Sequence, residues 1–283
     1  MKSPTLVRPL ALATLICAAI PSFAQAATLD SSQPATGDFM FSTLLLEGYG
    51  IVHGSVGAYG PAATNITTPD GHYTDSSGNV YNGNPGDVIG VQAPLSSVTF
   101  NPDNTLHTIT STGGNGNFQQ FPVVPSITSG GTLYVTDLGY DPATNQVTAT
   151  LNGANGVGTY SGAVFSIGHL DYSTDGGATF TTIADPTTFA FGAGTYELRA
   201  SDLFLASTSG TGNVRDYMIQ ALGINNLGVS VFDNINDPTS NSTGFGTLTT
   251  TFTVAAVPEP SVYAMLGLGL AGVAASAWRR RTP

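Results

Sequence analysis

Apolar and polar residues alternate with a period of two through the middle of the chain, and this alternation limits the available folds more than any other feature of the sequence. Leu133 and Val135 alternate with polar neighbours, residues 141–145 (Asp-Pro-Ala-Thr-Asn) have the composition of a turn, and the alternation resumes from Val147 to Leu151. Successive side chains of a strand point to opposite faces of a sheet, so the pattern predicts an antiparallel hairpin with one buried face.

Further runs of this kind predict an all-β body. Turn-forming residues separate strand candidates at 88–91, 97–100, 106–110, 164–172, 180–183, 195–199 and 248–254. Many short strands joined by turns are typical of a mainly antiparallel fold, either a sandwich or a barrel-like sheet. Residues 58–94 are dense in Gly, Pro, Asn and Asp, which predicts long loops.

One segment departs from the period of two and predicts a short helix packed on the sheet. Asn213 stands at the position of an N-cap, and Gly223 follows the end of the segment. Between them the apolar residues recur at helical spacing, at Val214, Tyr217, Met218, Ala221 and Leu222.

The amino-terminal segment has the organisation of a secretory signal. Lys2 and Arg8 precede an apolar run at 10–20, and Ala24 and Ala26 supply small residues at the spacing that signal peptidase accepts. The run is shorter than the roughly 20 residues of a membrane span. We therefore expect residues 1–26 to form a signal helix that signal peptidase removes, with residues 27–256 as an extracellular β-rich domain. A retained anchor is the alternative.

Cysteine and charge usage exclude several classes of function. The single cysteine, Cys17, lies in the signal, so the body has no disulfide and no thiolate metal site. Residues 27–257 contain two basic residues, Arg199 and Arg215, against 17 of the 18 acids, a formal net charge of −15. A surface of this charge repels phosphate backbones, which excludes nucleic-acid binding.

The carboxyl-terminal segment combines three features within residues 257–283. Pro258, Glu259 and Pro260 come first, an apolar run at 262–277 follows, and the cluster Arg279, Arg280 and Arg281 nearly ends the chain. The apolar run with its flanks is just long enough to predict a transmembrane helix. The arginine cluster then stops transfer and stays in the cytoplasm, which leaves the body outside.

This tail resembles the PEP-CTERM sorting signal, and the resemblance covers about residues 257–281. It implies that an exosortase of a Gram-negative bacterium that makes exopolysaccharide recognises Pro258, Glu259 and Pro260 and removes the tail. The protein is then expected as an inner-membrane precursor that becomes a cell-surface or secreted product. An ordinary single-span anchor that is never processed is the alternative.

A second pattern in the body resembles the Asp box of sialidase-like proteins, with Ser173, Asp175, Gly177, Thr179 and Phe180 at the matching positions. Short polar side chains at these positions bond backbone N–H groups across a tight turn. We interpret the pattern as a structural turn without catalytic meaning, after which Phe180 anchors the next strand in the core.

The sequence predicts no catalytic residue and no metal ligand in the body. Its glutamates, Glu47 and Glu197, lie in no hydrolase signature. Its histidines are not at metal-ligand spacing and are His53, His72, His107 and His169. Calcium is the one ion kept as an alternative, because the oxygen-rich stretches 70–75 with Asn79, and 233–237, carry hard ligands.

These observations favour a non-catalytic structural or interaction protein of an extracellular matrix or biofilm. Its expected partners are the exosortase and signal peptidase during export, and exopolysaccharide or other matrix components afterwards. A secreted polysaccharide-acting enzyme with a carboxylate pair remains one alternative. A calcium- or glycan-binding module is another, since the body has ten tyrosines although no tryptophan.

Overall fold

Eight antiparallel strands close into a barrel within the body, Ala27–Ala255. The computed structural model describes residues 26–41, 56–60, 62–74, 80–111, 114–120, 126–207, 209–210, 212–239, 244–256, 266–267 and 269–272. The barrel strands are β1 (Thr36–Phe41), β6 (Val88–Phe100), β7 (Leu106–Ser111), β9 (Gly131–Asp141), β10 (Gln146–Gly153), β11 (Gly158–Ser173), β13 (Gly194–Leu205) and β14 (Gly246–Val254).

Closure of the sheet decides between the two predicted architectures in favour of the barrel. The order around it is β9-β10-β11-β13-β14-β1-β6-β7, and β7 returns to β9 through the pairs Ile109–Tyr140 and Thr110–Gly139. A closed sheet satisfies the backbone hydrogen bonds that an open edge would leave exposed. The body therefore gains stability without disulfides.

Among the described residues, six further strands lie outside the ring, and several of them fall where we predicted long loops. They are β2 (Val56–Gly57), β3 (Thr64–Thr67), β4 (His72–Thr74), β5 (Val80–Asn82), β8 (Gly114–Gln120) and β12 (Thr181–Thr182). Strand β3 pairs with β6, whereas β4 and β5 form a separate two-stranded sheet. The prediction of loops throughout 58–94 is therefore wrong, because turn-rich sequence here joins short paired strands.

The predicted strands at 88–91 and 97–100 are one continuous strand, β6. Pro94 lies between Gln92, the last residue paired with β3, and Leu95, the first paired with β7. A proline removes one backbone donor, and here it stands where the neighbour on one side of the strand changes. The strand can thus pass through a residue that normally interrupts a central strand.

The predicted hairpin and the predicted final strand are confirmed. In β9 and β10 the alternating apolar residues Leu133, Val135, Val147, Ala149 and Leu151 are all buried. The same holds for Leu248, Thr250, Phe252 and Val254 of β14.

Two helices, α1 (Val214–Ala221) and α2 (Asn226–Ile235), pack on the body, whereas one helix was predicted. Helix α1 is the predicted one: the Asn213 side chain accepts a hydrogen bond from the Asp216 N–H, and Gly223 follows with φ +61°. Helix α2 was missed because Val229 and Val231 are β-branched residues that favour strands.

Within the described residues, side chains pack at both ends of the barrel. Helix α1 covers the end where β9 begins, and its Tyr217 hydroxyl donates to the carbonyls of Leu151 (3.1 Å) and Gly158 (2.6 Å). The opposite end holds an aromatic cluster whose ring centres lie 4.8–6.2 Å apart, formed by Phe100, Phe189, Phe191, Tyr196 and Phe252.

The interior between these ends is packed. Two apolar cavities of about 10 and 20 Å³ lie beside Ile109, Tyr140 and Leu248. A space of that size holds about one water molecule. These cavities therefore offer no room for a larger ligand.

The two ends of the body pair with each other. Leu29 forms an antiparallel bridge with Val254, the Asp30 N–H donates to the Thr253 carbonyl (2.8 Å), and the Ala255 N–H donates to the Thr28 carbonyl (2.8 Å). The chain therefore enters and leaves the body at adjacent points.

Candidate functional site

Strand register assembles a polar row on the outer face of the barrel. Asp171 of β11 pairs with Arg199 of β13, Arg199 with Thr249 of β14, Thr249 with Asp38 of β1, and Asp38 with Gln92 of β6. The flanking residues Leu198 and Ala200 line an interior cavity, so the side chain between them points outward. These five positions form our candidate site, the polar row.

Arg199 is held at the centre of the polar row. Its Nη2 lies 3.1 Å from Asp171 Oδ2, and its guanidinium carbon lies 3.8 Å from the centre of the Phe180 ring. Asp171 also accepts a hydrogen bond from the Thr182 hydroxyl (2.8 Å). Among the described residues, Arg199 Nε is a buried donor without a hydrogen-bond partner. The cation is thus fixed between a carboxylate and an aromatic face.

Two carboxyl groups at and beside the polar row bind protons more readily than usual. Burial raises the pKa of Asp38, although a hydrogen bond from Gln92 Nε2 (2.9 Å) opposes the shift. Burial, followed by the charge of Asp38, raises the pKa of Glu197, while Arg199 lowers it. Chemically, such a pair can hold a proton at higher pH than ordinary carboxylates.

The Asp-box residues form the turn that the sequence predicts. Ser173 Oγ accepts from the N–H groups of Asp175 (3.2 Å) and Gly177 (3.0 Å), and Asp175 accepts from the Thr179 N–H (3.0 Å) and hydroxyl (2.6 Å). The hydroxyl bonds from Ser173 and Thr179 lower the pKa of Asp175 to about 2. The expectation for Phe180 was wrong: its ring is half-buried and stacks on the outward-pointing Arg199 instead of anchoring the core.

His169 and Asp171 lie two positions apart on β11 and bind different partners. His169 Nδ1 lies 2.6 Å from Asp202 Oδ2, while Asp171 pairs with Arg199. Glu47 and His53 lie outside the described residues. No group of three or more His, Asp or Glu side chains placed to hold a metal ion occurs in the described part of the chain.

In the two stretches considered for calcium, the described side-chain oxygens accept hydrogen bonds from other groups of the chain. Asp70 accepts from the His72 N–H (3.0 Å), and Asp75 and Asn79 lie outside the described residues. In 233–237, the Asp233 carboxylate accepts hydrogen bonds from Arg215 Nε (2.6 Å) and Nη2 (2.7 Å), and Asn236 Oδ1 accepts one from the Leu205 N–H (2.6 Å). Both stretches thus act in turns and helix contacts.

Most of the residues predicted for export and sorting lie outside the described residues, namely Ala24, Pro258, Glu259, Pro260, Arg279, Arg280 and Arg281. Ala26 is described and half-buried. In the tail, residues 266–267 and 269–272 are helical. Within the described residues, no helix combines the length and hydropathy of a membrane span. The transmembrane helix at 262–277 therefore stays a prediction.

The last strand of the body leads directly into the tail, since Ala255 makes its hydrogen bond to Thr28 just before the sorting segment. Residues 256–281 match the PEP-CTERM protein-sorting motif. This match confirms the resemblance seen in the sequence. The PEP-CTERM motif implies an exported protein that an exosortase processes from a membrane-anchored precursor. Comparisons of the chain with curated proteins and with solved structures give no significant match.

Asp38 and Arg199 were not predicted to lie in one row. Nothing in their spacing links them, because they lie 161 positions apart and meet through β14. One signal was available for Arg199. It is one of only two basic residues in a strongly acidic body, so a specific partner could have been expected.

Proposed function

We propose that the mature body is a non-catalytic structural or interaction protein of an exopolysaccharide matrix, delivered there through its PEP-CTERM tail. The observation that carries this proposal is the sorting motif at 256–281, which directly follows the last hydrogen-bonded residue of a closed barrel. A Gram-negative host that makes exopolysaccharide would supply the exosortase. The product would then stay on the cell surface or enter the medium.

The construction of the barrel supports a structural role. Helix α1 and the aromatic cluster pack at its two ends, and the two cavities beside Ile109, Tyr140 and Leu248 have room for about one water molecule each. We therefore expect partners to bind the outer face. Several charged groups on the outside already form ion pairs, among them Arg199–Asp171 and Arg215–Asp233.

A polysaccharide-acting enzyme is the second candidate, because Asp38 and Glu197 both have raised pKa values. A glycosidase needs one protonated and one ionised carboxyl group at its cleavage point. We favour the non-catalytic role because Asp38 and Glu197 lie on strands of the outer face. Polysaccharide turnover by the purified protein that disappears in both Glu197→Gln and Asp38→Asn would instead establish the enzyme.

The intact mass of the protein from the medium and the envelope of its native host tests the sorting step. We expect a species that begins at Ala27 and ends close to Pro258. It should lack tryptophan fluorescence, because Trp278 is the only tryptophan of the chain. A species that retains Trp278 and the arginine cluster would contradict exosortase processing.

Two variants sharpen this experiment. Glu259→Gln removes the charge of the sorting motif, and we expect the tail to be retained. Thr282→Ala, beyond the arginine cluster, is the matched control and should be processed normally. Co-sedimentation of the mature protein with exopolysaccharide from the same host then tests the matrix role, and recovery of all the protein in the supernatant would count against it.

A further inference from the structure

The first residue of the expected mature chain is built into the body. Ala27 is 5% exposed and belongs to the hydrophobic core, and its backbone nitrogen donates to Asn104 Oδ1 at 2.7 Å. The next residues, Thr28 to Asp30, pair with the end of β14. A residue that follows a signal sequence is thus a fixed part of the fold.

The acceptor for this nitrogen is itself rigid. Asn104 has φ +68°, a conformation that asparagine tolerates better than most residues. Its N–H donates to the Asn101 carbonyl (2.9 Å), and its carbonyl accepts from the Phe191 N–H (2.9 Å). The turn 101–105 therefore holds the Asn104 amide oxygen in place beside Ala27.

We propose that Asn104 forms a binding site for the α-ammonium group of the mature chain. The inference rests on the proposed export, because it requires a cut before Ala27. Hydrolysis of the Ala26–Ala27 peptide bond by signal peptidase consumes one water and yields the Ala26 carboxylate and the Ala27 amine, which takes up a proton. The hydrogen bond to Asn104 then becomes charge-assisted, and such bonds are roughly twice as strong as neutral ones.

Docking of this segment also affects access to the cleavage site. Once Ala27 is buried and Leu29 is bridged to Val254, the bond before Ala27 adjoins a buried residue. We therefore expect signal peptidase to act before residues 27–30 dock. Docking in turn fixes residues 253–255, which lead directly into the sorting motif.

The absence of lysine between residues 27 and 257 gives a direct test. In the processed protein from the native host, the α-amine is the only primary amine, so an amine-acylating reagent reports on this group alone. We expect acylation of the folded protein to be slower than that of the urea-unfolded protein by about tenfold or more, since the amine must first be released. Mass spectrometry counts the single added acyl group.

Two substitutions at position 104 test whether the Asn104 amide oxygen protects the α-amine from acylation. Asn104→Gly keeps the positive φ accessible and removes the acceptor, so acylation should approach the unfolded rate. Asn104→Asp supplies an ionised acceptor, and acylation should slow further. The proposal is overturned by equal rates in the folded and unfolded protein, by an unchanged rate in both variants, or by a mature chain that does not begin at Ala27. None of these results depends on removal of the tail, which the intact mass reports separately.

Discussion

Arg199 stacks on Phe180, with its guanidinium carbon 3.8 Å from the centre of the ring. Phe180 precedes β12, and Arg199 lies on β13, so the contact ties the Asp-box turn to the wall of the barrel. Asp171 completes the arrangement through Nη2 at 3.1 Å. Asp171, before the turn, and Phe180, after it, thus both contact the Arg199 guanidinium.

Replacing Arg199 with methionine should lower the free energy of unfolding by about 1–3 kcal/mol, because the buried Asp171 loses a charged donor. Urea denaturation followed by circular dichroism at neutral pH measures the loss. Arg215→Met is the matched control: its partner Asp233 is 45% exposed, so the loss there should stay below about 1 kcal/mol. An equal loss in both variants would contradict the distinction.

Asp175→Asn should destabilise the protein at neutral pH and progressively less in acid. The pKa of Asp175 is lowered to about 2 in the folded state, so its stabilising contribution is present above about pH 4 and is lost as the pH falls towards 2. Melting temperatures of the variant and the parent across this range test the expectation. A constant difference at every pH would show that the ionised carboxylate is not responsible.

Asp38→Asn should have the opposite pH dependence. Burial raises the pKa of Asp38, so its contribution favours folding below the pKa of the unfolded chain and is lost as the pH rises through the folded pKa. Asparagine keeps an oxygen for Gln92 Nε2 and removes the buried charge. We expect a higher melting temperature than the parent at neutral pH and no gain at pH 3. A gain of the same size at both values would refute the explanation.

Asn213→Ala should destabilise the body by about 0.5–2 kcal/mol, since the side chain caps α1 by accepting from the Asp216 N–H at 2.8 Å. Asn213→Ser is the control, because serine keeps a side-chain oxygen that can accept at an N-cap. Chemical denaturation of both variants gives the comparison. A loss as large for Asn213→Ser as for Asn213→Ala would disprove the capping role.

Gly131→Ala should weaken the packing of α1 on β9. A Cβ atom at this position would lie 2.1 Å from the Ala221 carbonyl oxygen, so the helix must move. Overpacking of this kind costs about 1–3 kcal/mol. Gly192→Ala serves as the control, because its Cβ would meet Tyr196 Oη at an ordinary 3.7 Å. Similar melting temperatures for the two variants would argue against the clash.

The sequence predicts those elements whose local pattern is complete. The hairpin of β9 and β10 has apolar alternation on both sides of its turn, at Leu133 and Val135 and from Val147 to Leu151, and in the turn Asp141 accepts from the Ala143 N–H. Helix α1 has a cap at Asn213 and a positive-φ glycine at 223. In these segments local preference and tertiary packing agree, so short-range reasoning suffices.

Strand β1 shows why other elements were missed. Its inward positions include Gly37 and Phe39, and glycine interrupts the apolar alternation that marks a strand. The structure needs a small residue there, since a Cβ at Gly37 would lie 3.2 Å from Leu95 Cδ2. This need for a small residue comes from Leu95 on β6, more than fifty residues away, so the sequence around Gly37 does not show it.

The polar row could not be predicted from the sequence for the same reason. Asp38, Arg199 and Asp171 become neighbours only when the register of four strands is fixed. Sequence spacing carries no information on such register. By contrast, the sorting motif is contiguous, and the sequence alone was enough to recognise it.

The position of β14 has a mechanical consequence for a body held through its carboxyl end. Seven residues of β14 pair with β13 and six pair with β1. When a pull on the chain beyond Ala255 acts along the strand axis, it runs perpendicular to the hydrogen bonds on both sides. The two ladders must then shear together instead of opening one bond at a time, so the barrel should resist such a pull more strongly than a force that opens one ladder from its end.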